Sequence, residues 1–94
     1  MPRPPILPVL DWRQIFGAGR DWAAWLETGE SPENRGRMEA DRRSLVIPEA
    51  VTTQLRNLAR EVRVVAFAED WCGDVVRHAP VIQTMAERTT RMSV

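Results

Sequence analysis

Cys72 is the only cysteine of the chain, and it closes the run Val64-Val65-Ala66-Phe67-Ala68-Glu69-Asp70-Trp71-Cys72 before Gly73 and Asp74. The apolar part reads as a buried strand that passes through Trp-Cys-Gly into a helix. A thiol at such a junction sits at a helix N-terminus, where the macrodipole favours negative charge and stabilises a thiolate. Glu69, Asp70 and Asp74 oppose this by repelling that charge. The chemistry this spacing suggests is that of a redox or nucleophilic cysteine. The plainer alternative is an inert, small apolar residue. Trp71 either shields the thiol and presents a flat surface to a substrate, or packs over the strand end. Asp74 reads as the helix cap.

Other chemistries find little support. His78 lies about 9 Å further along a helix and on another face, which argues against a Cys–His pair. One cysteine and one histidine cannot close a zinc site. There is no phosphate-cradling glycine loop, no Gly-x-Ser-x-Gly elbow and no acidic metal loop, so neither cofactor nor metal is expected. The chain has 94 residues, with 13 basic residues, all arginine, balanced by 13 acidic ones. That balance offers no net field to recruit nucleic acid or an anionic membrane. No apolar run approaches the roughly 20 residues a membrane span requires. A single cysteine rules out an internal disulfide and suits a reducing compartment, so a cytoplasmic location is expected.

Around this segment the sequence lays out helices. Residues 1–10 are proline-rich and expected to be extended. Residues 11–46 read as a helical N-terminal extension. Asp11-Trp12 and Asp21-Trp22 each announce a short amphipathic helix, ending near Gly17 and Gly29. Ser31-Pro32-Glu33 is a strong helix start, and the helix it opens, about Pro32 to Ser44, is so polar that it is expected to be solvated. Arg35–Glu39 and Glu39–Arg43 are its expected i, i+4 pairs. Trp12, Trp22 and Trp25 are expected to dock the short helices onto a sheet. From residue 47 onward, Val51, Leu55, Leu58 and Val62 form the stripe of a helix begun at Pro48-Glu49. A strand over about 63–68 follows, covered on both faces. After the cysteine turn, Val75, Ala79, Ile82 and Ala86 mark a helix that Pro80 should kink. A covered strand needs neighbours: the residues from Thr89 onward could pair with it, another chain could complete the sheet, or the chain could be a fragment of something longer, which is the favoured expectation.

The segment Glu69-Asp70-Trp71-Cys72-Gly73-Asp74-Val75-Val76-Arg77-His78-Ala79-Pro80 resembles the active-site region of thioredoxin-like proteins. Trp71-Cys72-Gly73 matches the family's Trp-Cys-Gly, and Pro80 matches its helix-kinking proline. The Trp-Cys-Gly-Asp form, preceded by polar helices bearing tryptophans, is similar to a bacterial thioredoxin subgroup. The likeness covers about residues 62–88 and implies that 47–94 form the first part of a thioredoxin-like domain. The fold expected is therefore α/β and helix-rich, an incomplete thioredoxin-like unit behind a helical extension.

The sequence departs from the family pattern at three points. The second, resolving cysteine falls at Val75, and the acid often buried beneath the cysteine pair falls at Ala66. The second half of the fold, with the cis-proline loop that faces the cysteine, is missing. The resemblance therefore implies a monothiol protein. Cys72 would be the catalytic residue, Trp71, Gly73 and Asp74 would shape its turn, and Pro80 would set the helix angle. Its partners would be a disulfide-bearing protein or a low-molecular-weight thiol. The alternatives are a non-catalytic interaction module that keeps the motif for packing, and a truncated fragment without activity of its own.

Overall fold

The computed structural model describes residues 10–94. The proline-rich stretch expected over 1–10 thus falls, apart from Leu10, outside the described residues. Five helices and two short strands follow in the order α1 (Trp12–Ala18), α2 (Trp22–Glu27), α3 (Pro32–Ser44), α4 (Glu49–Arg56), β1 (Val62–Arg63), α5 (Gly73–Glu87) and β2 (Met92–Ser93). The architecture is helix-rich α/β, as expected.

The helix starts follow their capping residues. The Asp11 and Asp21 carboxylates accept the N–H groups of Gln14 and Ala24, and the Ser31 hydroxyl accepts that of Asn34. Each satisfies a donor that the first helical turn leaves unpaired. Helix α4 ends at Arg56, so Leu58 and Val62 lie beyond it rather than on its stripe.

Helix α3 is not the solvated element its composition suggests. It packs along α5, and Met38 is 0% exposed. Val76, Pro80 and Thr84 are the buried residues of α5. One long apolar side chain in a polar helix is enough to anchor it when that side chain is fully enclosed. The expected Arg35–Glu39 pair gives way as well. Glu39 instead bonds Arg42, lies 3.4 Å from the Arg43 Nε and accepts the Trp22 indole N–H at 2.7 Å. Arg42 also reaches Glu87 at the end of α5, at 2.7 Å. Helices α2, α3 and α5 are therefore linked through the Glu39–Arg42 pair, α2 at the carboxylate and α5 at the guanidinium. The Arg42 guanidinium, with lesser help from Trp22 and Arg43, holds the Glu39 carboxyl down at about 2, against the opposing effect of burial.

The strand expected over 63–68 is much shorter than its apolar run. β1 pairs in parallel with β2, Val62 opposite Met92 and Arg63 opposite Ser93. The ladder bonds run from Val62 N–H to Arg91 C=O at 2.7 Å and from Val64 N–H to Ser93 C=O at 2.8 Å. The final residues thus supply the strand's neighbour. Parallel strands require a crossover, and α5 provides it. Beyond Val64 there is no ladder, and Phe67 is 81% exposed rather than covered. An apolar run becomes a strand only where another backbone takes its hydrogen bonds, and β2 offers two residues. No described helix is long and apolar enough to cross a membrane.

Candidate active site

Cys72 occupies the N-cap position of α5, with φ −79° and ψ 123°. Its N–H donates to the Glu69 C=O at 3.2 Å, and its own C=O accepts the Val76 N–H at 3.0 Å. The thiol is free and half-buried. No side chain caps the helix, so the first-turn N–H groups remain available to an anion at this position. Asp74, expected as the cap, lies inside the first turn instead and is exposed. The polypeptide enters the helix two residues earlier than a capping Asp74 would require, because Cys72 is already the residue with extended backbone.

The structure gathers the other expected site residues unevenly. Trp71 is 65% exposed, so its ring is a free surface beside the thiol rather than a lid packed over a strand end. Gly73 is exposed, and a Cβ there would meet nothing within 4 Å, so this glycine is not required for space. Pro80 is fully enclosed two turns into α5, and the helix runs through it. Proline has no N–H for the Val76 carbonyl, while its own C=O accepts the Thr84 hydroxyl at 2.7 Å. Pro80 therefore belongs to the support of the site and not to its surface. Val75, where the family's second cysteine falls, is half-buried. His78 and Arg77 are exposed further along α5. Among the described residues no cluster of histidine, cysteine, aspartate and glutamate could hold a metal ion.

The tryptophans divide by position. Trp22 and Trp25 lie 5.8 Å apart, ring centre to ring centre, and are partly buried. The Trp25 indole N–H donates to the Ala68 C=O at 3.3 Å, so this residue docks α2 onto the segment leading to the cysteine. Trp12 is exposed, beside Phe16 and the Arg63 guanidinium stacked on Phe16 at 5.5 Å.

Asp70, read from the sequence only as an acid that repels the thiolate, has a structural role that this reading missed. It lies two positions before the cysteine and is only 4% exposed. Its Oδ2 accepts the Ser31 N–H at 2.7 Å, and its C=O accepts the Asn34 side-chain amide at 3.0 Å. The carboxylate thus sits on the N-terminus of α3, where a negative charge is favoured by roughly 0.3–2 kcal/mol. A signal for it existed. In a capping box the third helical residue is Glu or Gln and takes the N–H of the cap. Here that position is Asn34, which leaves the Ser31 N–H open to an acid from elsewhere.

A family model described as Thioredoxin (Thioredoxin_9) matches residues 19–94, a span that takes in α2 through β2 and the Cys72 turn. No curated protein and no solved structure matches the chain. The matched region holds the strand, the cysteine turn, the proline-bearing helix and the parallel partner strand, an incomplete α/β thioredoxin-like fold rich in helix. The match supports a general thioredoxin-like redox or related role. With four-fifths of its length inside that match, the chain belongs to the thioredoxin family.

Proposed function

We propose that this protein is a thiol redox protein that works through Cys72 alone, by monothiol disulfide exchange. The observation that carries the reading is a half-buried free thiol at the uncapped N-terminus of a fifteen-residue helix, inside a thioredoxin family match. In the first step the Cys72 thiolate attacks the small-thiol sulfur of a mixed disulfide between a protein and a low-molecular-weight thiol such as glutathione. A new disulfide forms between Cys72 and that sulfur, and the protein's sulfur leaves as thiolate. In the second step another small thiolate attacks the same sulfur, and Cys72 is released. One protein thiol is gained and one small-molecule disulfide is produced, so electrons balance without a second cysteine. Trp71 supplies an exposed aromatic face against which a substrate can rest. Such exchange suits a reducing, cytosolic setting.

Intact-mass spectrometry tests this. The reduced protein is mixed with oxidised glutathione under native conditions. The expected result is a single glutathione adduct at Cys72, removed by excess reduced glutathione and absent from Cys72→Ser. A native protein that forms no adduct, while its denatured chain does, would overturn the reading.

A further inference from the structure

We infer that Asp70 is a positioning residue for Cys72, through which the first turn of α3 sets the geometry of the cysteine turn; the inference rests on the redox reading above. Its basis is the way residues 65–71 are held. Among the described residues, their hydrogen bonds to distant parts of the chain are three, all from α2 and the start of α3. These are Trp25 to Ala68, Ser31 to the Asp70 carboxylate, and Asn34 to the Asp70 carbonyl. Two of the three end on Asp70, one on its side chain and one on its backbone. The Cys72 N–H then turns back to Glu69, the residue just before the clamped one.

Gly29 completes the seat. A Cβ there would overlap the Asp70 carboxylate and come within 2.9 Å of the Arg35 Cδ. The close approach of carboxylate to backbone is therefore built into the α2–α3 connection. Helix α3 also packs along α5, the helix that begins at Cys72. Asp70 thus joins the turn that enters α5 to the N-terminus of the helix on which α5 rests. A buried carboxylate is costly unless its hydrogen bonds are made, so this arrangement has a preferred geometry. Cutting it leaves the thiol on a turn whose neighbouring aromatic residues, Phe67 and Trp71, are largely exposed.

The test compares Asp70→Ala, Asp70→Asn and Leu55→Ala. The last removes a buried side chain of α4, outside the site, and serves as a control for loss of stability alone. At a temperature where all are folded, the rate of Cys72 reaction with 4,4′-dithiodipyridine, an uncharged disulfide, is measured with amide hydrogen exchange over residues 68–73. Asp70→Ala is expected to slow the reaction on the order of tenfold and to speed exchange in this segment. Asp70→Asn keeps an oxygen acceptor for Ser31 and is expected to stay within about threefold of the parent. Leu55→Ala is expected to change neither. If Asp70→Ala does not fold, Asn34→Ala cuts one of the two bonds and is expected to show the same two effects, smaller in size. Parent-like reaction and exchange in the Asp70 or Asn34 variant would overturn the inference. An inert parent thiol would sink the redox reading alone, because the exchange measurement requires no reaction.

Discussion

The two sides of Cys72 are held by different forces. On the C-terminal side, α5 rests on α3 through enclosed side chains, with Met38, Val76, Pro80 and Thr84 out of solvent. On the N-terminal side, residues 64–71 have little regular structure, and Phe67 and Trp71 face water. That side is held by directional bonds to Ala68 and Asp70. Apolar packing is non-directional and fixes where a helix lies; a hydrogen bond fixes an angle and a distance but contributes only about 0.5–1.5 kcal/mol net. The protein thus uses packing to place the helix that carries the thiol, and polar contacts to shape the turn that presents it.

This contrast can be broken from either side. The largest effect is expected from Met38→Ala, which empties the enclosed site between the helices and should cost roughly 2–5 kcal/mol of stability in a denaturant melt. A loss below about 1 kcal/mol would show that α3 is held by its charges instead. Gly29→Ala comes next. It crowds the Asp70 seat and should cost about 1–3 kcal/mol, with faster amide exchange at 68–71 than Met38→Ala produces at equal destabilisation. Equal exchange in the two variants would erase the distinction between the two sides.

The smallest effect is a pH dependence at Glu39, whose carboxyl lies at about 2 when folded against an ordinary 4.5. Its contribution is therefore present above about 4.5, is lost as pH falls toward about 2, and is gone below that. Comparing the parent with Glu39→Gln across this window should show a stability difference that closes on acidification. Because the pair is partly solvent-exposed, the difference should also shrink in high salt. A difference that stays constant with pH would assign the effect to the Trp22 bond.

The legible parts of the molecule are those decided within a few residues. Asp11, Asp21 and Ser31-Pro32 announce helices whose capping bonds span only three positions, and the expected start of α3 at Pro32 is where it begins. The Cys72 turn was legible for the same reason. Asp70 was not, because its partners Ser31 and Asn34 lie 39 and 36 positions away.

The sequence alone established where the first three helices start, that a helix begins at the Cys72 turn, and that these 94 residues carry one thiol, because capping, periodicity and composition are local properties. Only the tertiary structure decided that the apolar run from Val64 to Ala68 remains largely unpaired, that Met38 makes α3 a buried partner of α5, and that Asp70 rather than Asp74 is the tethered acid of the site. Each of these depends on which distant backbone or side chain is present to accept a hydrogen bond or exclude water, and no local pattern carries that information.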